Sequence, residues 1–286
     1  MDNNEFIRCW NEILTPKWVR FRHLLSGNGQ TYSDAARDIV PVETGARVLD
    51  IGCGFGESCL EIGARVGPTG EVLGVDCTRE FLEIAEKERD AAGAEHVRYL
   101  LADAQECELP KGHFDLAYSR FGVMFFESAV RALRNARSAL KPGGRLCLIV
   151  WRARSENPAW NMARDVALEY LPPPGESAMT CGPGPFSMAA EETTRGMLAA
   201  AGFTQIDHFK RYDEDIWLGR SVEEAVDYQV LVGPSGEIIR EAGELGREKL
   251  PQIRAELTEL FAKHQRPNGE VWAPSSAWVI VARNAA

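Results

Sequence analysis

Residues 48–56 read VLDIGCGFG, an apolar run that passes directly into a turn with three glycines. Glycine adopts backbone conformations that other residues avoid, and it lets the main chain approach a ligand closely. A strand, a glycine-rich turn and a helix in this order are typical of a ligand-binding α/β unit. Such turns also occur where the glycines serve packing alone, so the rest of the sequence must decide.

Short apolar runs alternate with helical stretches from Arg47 onward, which predicts βαβ units and a parallel sheet. The expected fold class is α/β, a doubly wound and mostly parallel sheet of seven strands. We expect the last strand at a sheet edge, because its apolar residues alternate. The predicted strands are 47–51, 72–76, 97–101, 114–118, 145–150, about 203–210 and 272–283.

Helices are predicted between these strands. Residues 78–92 begin with Thr78 as a candidate N-cap, and 128–140 end at the turn sequence KPGG. Further helices are predicted at 191–201, 221–232 and 243–265.

The whole chain, 1–286, is predicted to be one domain, because no linker composition divides it. Residues 1–40 form a helical lead-in and 41–151 the cofactor-binding core. Two cap insertions are expected at 152–187 and 212–270, the first because it is long and rich in proline and glycine.

The chain carries 42 acidic and 32 basic residues, a formal net charge of −10, and its basic residues are scattered. This charge distribution disfavours nucleic acid as a partner. The first residues lack the basic start and apolar run of a signal peptide, and no stretch reaches bilayer-spanning length. We expect a cytoplasmic protein that does not bind membranes.

The seven cysteines form no CxxC pair. This disfavours a zinc site, a disulfide scaffold and an arsenic-type acceptor, and no other metal cluster is indicated. We expect the cysteines to be reduced, several of them as small buried apolar residues.

Polar residues follow several of the predicted strands. Asp76 ends the second strand about twenty residues beyond Gly56, where a carboxylate can accept hydrogen bonds from both hydroxyls of a ribose. Asp103 follows the third strand, and Ser119 and Arg120 follow the fourth. The carboxyl ends of parallel strands share one edge of the sheet, so these groups should converge.

NAD-dependent oxidoreductases also have a strand, a glycine-rich turn and an acidic residue at the end of the second strand, as this sequence has at 47–56 and Asp76. Their phosphate-binding turn has the pattern GxGxxG, however, whereas this turn reads GxGxG. The match to a pyrophosphate site is therefore weaker.

Together the motifs closely resemble the class I S-adenosylmethionine-dependent methyltransferases, which have a Rossmann-like fold. VLDIGCGFG resembles their glycine-rich first motif, and GVD and LADA resemble their ribose and adenine motifs. ALKPGGRL resembles the turn before their fifth strand. SRFGVMFF, PGPF and AWVIVAR further resemble a bacterial subgroup related to the ubiquinone and menaquinone methyltransferases.

The resemblance implies S-adenosylmethionine as the cofactor. Gly52 and Gly54 would line its methionine part, with Asp50 near the amino group and Ser119 beside the sulfonium.

For the nucleoside, the resemblance implies Asp76 at the ribose and Asp103 at the adenine amino group. Ala104 would offer its backbone amide to the ring. Cys77 would lie against the adenine, where the family often has another residue.

The activity implied is methyl transfer by in-line displacement to a small, apolar or aromatic metabolite beneath the cap, where several Trp and Phe side chains could form a pocket. No general base is evident. Arg120 could bind an acidic acceptor or a carboxylate of the cofactor, and a surface ion pair explains it equally well. His23 could reach the cleft as a base, but a solvated or packed histidine is the favoured interpretation. A catalytically silent sensor or scaffold that binds the cofactor stays an alternative. The acceptor atom and the oligomeric state are not specified by the sequence.

Overall fold

The computed structural model describes residues 3–175 and 181–285. Within them the strands are β1 (Arg47–Ile51), β2 (Glu71–Asp76), β3 (Val97–Leu101), β4 (Phe114–Arg120), β5 (Leu140–Trp151), β6 (Gln205–Gly219) and β7 (Val271–Arg283). They form one sheet in the order β3-β2-β1-β4-β5-β7-β6. Strands β1 to β5 are parallel, and β7 is antiparallel to β5 and β6. The predicted fold class is confirmed.

Helices precede the sheet, flank it and cover one end. A π-helix spans Trp10–Leu14, and short 3-10 helices span Val123–Phe125 and Arg154–Glu156. The α-helices of the described residues are α1 (Asn3–Cys9), α2 (Thr15–Arg20), α3 (Arg22–Ile39), α4 (Glu57–Val66), α5 (Arg79–Ala91), α6 (Ala129–Ala139), α7 (Pro158–Tyr170), α8 (Glu191–Ala201), α9 (Val222–Leu231), α10 (Pro234–Glu241) and α11 (Gly243–Ala262).

Burial explains why the central strands are apolar on both faces. Val48 and Leu49 of β1 have no exposed surface, because β1 lies between β2 and β4 and helices cover the sheet. Helix α5 packs against β2 and β3 and buries Phe81 and Ala85. This core fixes the positions at which the parallel strands end.

The structure corrects three strand predictions. β7 is not an edge strand: it lies between β5 and β6, which explains the unbroken apolar run Val279–Ala282. β5 begins at Leu140, which pairs with Phe114, and a register shift accommodates the glycine turn. β6 continues to Gly219 because it pairs along β7, so residues 212–219 are strand and not cap.

Helices α7, α9, α10 and α11 pack together at one end of the molecule. The side chain of Gln229 on α9 donates to the backbone oxygen of Ala159 on α7 at 3.1 Å, which joins the two predicted insertions. Part of the first insertion, residues 176–180, lies outside the described residues. None of the helices described combines the length and the apolar character that crossing a bilayer requires.

Candidate functional site

A cavity of about 410 Å³ opens at the carboxyl edge of the parallel strands, a size typical of small-molecule sites. Residues at or just after the strand ends line it: Gly52 after β1, Cys77 after β2, Ala102 after β3, Phe121 after β4 and Trp151 in β5. The lead-in and the cap supply the other walls. The strand ends therefore meet at one site, and Asp76, Asp103 and Arg120 are among the residues that line it.

The glycines of the 48–56 turn serve different purposes. Gly52 has a φ of 68°, and a Cβ there would lie 3.0 Å from the Cα of Gly122. At Gly56 a Cβ would overlap Tyr99, so this glycine serves packing between a helix and a strand. Gly54 has a φ of 56°, lines the cavity and has no atom within 4 Å of a would-be Cβ. Gly54 thus gives a ligand direct access to the main chain.

Asp76 lies at the cavity wall, where backbone amides hold its carboxylate. Oδ2 accepts from the N–H of Gly54 at 2.9 Å, and Oδ1 accepts from the N–H of Thr78 at 2.8 Å. Burial raises the pKa of Asp76, while these two hydrogen bonds oppose the rise. Thr78 occupies the N-cap position of α5, but its side chain makes no capping hydrogen bond. The hydrogen bonds from Gly54 and Thr78 fix the orientation of the Asp76 carboxylate at the cavity wall.

Asp103 and Ala104 lie on the same wall. The backbone N–H of Gln105 donates to Oδ1 of Asp103 at 2.9 Å, and its side-chain amide donates at 3.1 Å. The backbone oxygen of Ala104 is occupied by the side chain of Asn135 at 3.0 Å. The structure therefore brings Asp76, Cys77, Asp103 and Ala104 together around one cavity.

Asp50 and Ser119 are buried behind the wall and do not line the cavity. Asp50 Oδ2 accepts from the hydroxyl of Ser58 at 2.5 Å, and burial raises the pKa of Asp50 to about 6. Its Oδ1 has no hydrogen-bond partner among the residues described. The hydroxyl of Ser119 donates to the backbone oxygen of Ile51 at 2.7 Å and accepts from the N–H of Val123. Both residues brace the turns from beneath.

The two candidate catalytic residues differ in position. Arg120 lines the cavity, and its guanidinium donates to the hydroxyl of Ser33 at 2.9 Å. His23 lies outside the cavity, where its ring pairs with Glu224 at 3.1 Å and contacts Trp217 edge-on. Arg120 can therefore reach a bound ligand, whereas His23 cannot act as a base at this site.

The lead-in contributes a cover that the sequence did not predict. Trp10 and Trp18 line the cavity, with ring centroids 5.1 Å apart, and Trp10 meets Phe125 at the same distance. The side chain of Asn11 donates to the backbone oxygen of Cys77 at 3.1 Å. The first helices thus lie over the end of β2. The aromatic residues of 1–40 were the available signal in the sequence, but they do not show which surface of the protein these helices cover.

A disulfide joins Cys9 to Cys181, and the prediction that all cysteines are reduced is wrong for these two. The remaining cysteines are free, in agreement with that prediction. The bond links the end of α1 to the segment 181–186, which lines the cavity. It therefore fastens the lead-in to the cap.

A family model described as a methyltransferase domain matches residues 48–144. The ubiquinone/menaquinone biosynthesis C-methyltransferase UbiE of Azotobacter vinelandii is 30% identical over 200 residues, covering 67% of this chain and 73% of that protein. The chain belongs to the class I S-adenosylmethionine-dependent methyltransferases. The protein of the same name from Pseudomonas savastanoi pv. phaseolicola is 30% identical over 203 residues, 67% of this chain and 78% of that protein. The YcgJ protein from Bacillus subtilis shares the fold, with a TM-score of 0.55 at 19% identity over 87% of this chain and 96% of that chain.

The methyltransferase uses S-adenosylmethionine. The residues that line its cavity suit that molecule. The open face of Gly54 leaves room for a ligand beside the turn, and Asp76 lies within hydrogen-bonding distance of the same glycine. An NAD-dependent oxidoreductase is not favoured, because the family match covers the turn and the acid together.

Proposed function

We propose that this methyltransferase transfers the methyl group to a small, largely apolar or aromatic metabolite held in the cavity. The observation that carries the proposal is an aromatic wall beside the glycine turn. Phe121 and Trp151 stack there with centroids 4.0 Å apart, and Trp160 meets Trp151 at 6.0 Å. All three line the cavity. Stacked and edge-on rings favour a flat apolar ligand.

Phe121 is the non-glycine residue of positive φ in the described chain, at 56°. Such a conformation costs on the order of 1 kcal/mol or more and persists where the surroundings enforce it, often at functional sites. Tyr32 and Trp151 hold the ring from two sides. This supports a role for Phe121 in shaping the acceptor site.

For the cofactor, Asp76 would accept from the ribose hydroxyls and Asp103 from the adenine amino group. The amide of Ala104 and the side chain of Cys77 would contact the adenine ring. All four residues line the cavity, which supports these roles.

At the methionine end, Gly52 and Gly54 would lie against the amino acid. Asp50 and Ser119, predicted at the amino group and the sulfonium, would act through the turns that they brace.

Bound S-adenosylmethionine supplies a methyl group on a sulfonium sulfur, which an acceptor attacks in line with the breaking bond. The chain then has to hold the two reactants in that line and exclude water, and such positioning can lower a barrier by about 7 to 11 kcal/mol. The aromatic cover of Trp10 and Trp18 and the wall of Phe121 and Trp151 suit that task. The names of the relatives specify carbon methylation, which favours carbon as the acceptor atom.

The proposal is tested by incubating the purified protein with methyl-labelled S-adenosylmethionine and a fractionated metabolite extract. We expect the label in a small aromatic product. Phe121→Ala should abolish or strongly reduce this labelling, while Phe209→Ala, at a ring on β6 outside the cavity, should leave it unchanged. Label confined to protein or nucleic acid would refute the proposal.

A further inference from the structure

Charged residues line the cavity at the side formed by the lead-in and the cap. Lys17 comes from α2, Arg154 from the 3-10 helix after β5, and Glu237 and Arg240 from α10. At this side three cations thus lie with one carboxylate. Four further charged residues line the cavity from other elements: Glu57 in α4, Asp76 in β2, Asp103 after β3 and Arg120 in β4. The segments are far apart in sequence, so the fold brings them together.

Two of these cations form no ion pair among the residues that the structure describes. Lys17 and Arg154 form no salt bridge and no side-chain hydrogen bond within residues 3–175 and 181–285, and Glu237 forms none either. Arg240 pairs with Glu241 at 2.6 Å. The guanidinium of Arg154 lies 5.3 Å from the ring centroid of Phe186, which holds it at the cavity wall.

The surroundings disfavour charge on both cations. Burial, and then the nearby charge of Arg240, lower the pKa of Lys17; burial also lowers the pKa of Arg154. Burial raises the pKa of Glu237 as well, although Arg240, Arg154 and Lys17 oppose that rise. Arg164 and Asp165 also act on Arg154, but they pair with each other at 3.0 Å, as Arg240 pairs with Glu241. Lys17 and Arg154 then face the single carboxylate of Glu237. A bound anion would relieve this imbalance.

We propose that Lys17 and Arg154 form an anion-binding subsite of the acceptor pocket, so that the acceptor is an aromatic compound with an acidic group. The inference rests on the proposed function, because it assumes an acceptor in this cavity. A guanidinium matches the two oxygens of a carboxylate or a phosphate, and an ammonium adds a point charge. The aromatic wall would hold the ring while the subsite fixes its orientation.

Matched probes test the subsite by calorimetry on protein saturated with S-adenosylhomocysteine. The pairs are benzoate with benzamide, 2-naphthoate with 2-naphthamide, and indole-3-acetate with indole-3-acetamide; phenyl phosphate separates phosphate from carboxylate recognition. The variant combines Lys17→Met with Arg154→Met. Its control combines Arg195→Met with Lys249→Met, two residues outside the cavity wall.

We expect at least one acid to bind about tenfold or more tightly than its amide, since each hydrogen bond to a charged group is worth about that factor. The preference should vanish in the Lys17 and Arg154 variant, persist in the control and increase in Glu237→Gln. S-adenosylhomocysteine affinity should stay within about twofold of the wild type, which also shows that the variants fold.

Two results would overturn the subsite: amides that bind as tightly as the acids, or a double variant that loses S-adenosylhomocysteine affinity in parallel with the acids. The second result would assign the cations to the cofactor. Failure of the proposed function is distinct, because then neither the acids nor the amides would bind.

Discussion

The main-chain N–H of Gly54 donates a 2.9 Å hydrogen bond to Oδ2 of Asp76, which ties the turn after β1 to the carboxylate that ends β2. The two motifs are therefore one structural unit. A change in the carboxylate alters the turn, and a change in the turn alters where the carboxylate points. This coupling gives a physical reason for the two motifs to occur together.

Gly52→Ala and Gly54→Ala should fail in different ways. Both positions have positive φ, which costs a non-glycine residue about 1 to 2 kcal/mol. At Gly52 the new Cβ also crowds Gly122, so we expect a larger loss of unfolding free energy. At Gly54 the Cβ meets no atom but points into open space at the cavity. We expect about tenfold weaker binding of S-adenosylhomocysteine there, a loss of about 1.4 kcal/mol.

Gly93→Ala is the matched control for the Gly54 variant, because Gly93 has a φ of 62° and equally open surroundings but lies outside the cavity wall. Denaturant unfolding and calorimetry give the two readouts. Equal cofactor affinity in the Gly54 and Gly93 variants would contradict this role for Gly54.

Asp50 should make stability depend on pH. Burial raises its pKa to about 6, above the usual value of about 3.9 for an aspartate. Between about pH 4 and pH 6 the folded protein keeps a proton that the unfolded chain has released, so the unfolding free energy falls as the pH rises through this window. Asp50→Asn removes the titrating carboxyl group, and with it this dependence of the unfolding free energy on pH. We expect the variant to gain about 2 to 3 kcal/mol relative to the wild type between pH 4 and pH 7.

Denaturant unfolding at several pH values measures that difference. Parallel pH profiles for Asp50→Asn and the wild type would show that the Asp50 carboxyl titrates alike in the folded and unfolded states.

The Cys9–Cys181 disulfide should stabilise both the fold and the cover of the cavity. It closes a separation of 172 residues, and disulfides across long loops typically contribute about 2 to 4 kcal/mol. We expect Cys9→Ser with Cys181→Ser to lose about that much unfolding free energy. The freed lead-in should also bind S-adenosylhomocysteine more weakly.

Cys107→Ser is the control, because Cys107 is free, half-buried and outside the cavity. Reduction of the wild type should reproduce the effect of the double variant. Unchanged stability and affinity after both treatments would show that the disulfide stabilises neither the fold nor the cover of the cavity.

The sequence predicted the parts of the site that are local in the chain. Gly54 and Asp76 follow strands directly, so their meeting at one edge is a consequence of parallel pairing. Lys17, Arg154 and Glu237 carry no such signal, because only the packing of the lead-in on the cap brings them together.

The same distinction explains the two clearest errors. Cys9 and Cys181 are 172 residues apart and have no recognisable spacing. They meet only because the lead-in packs against the segment 181–186. The position of β7 depends on strand order, which the apolar pattern of one strand does not specify. Within that strand, the unbroken apolar run Val279–Ala282 is the feature that fits burial on both faces.

Calorimetric titration of S-adenosylhomocysteine into the wild type and Asp76→Ala tests the site most directly. The substitution removes a carboxylate that both anchors Gly54 and faces the cavity, so we expect binding about 30-fold or more weaker, equivalent to roughly 2 kcal/mol or more. Asp115→Ala, at the opposite end of the parallel strands where its carboxylate pairs with Lys141, should bind as the wild type does. Equal affinity in Asp76→Ala and the wild type would contradict the proposed site.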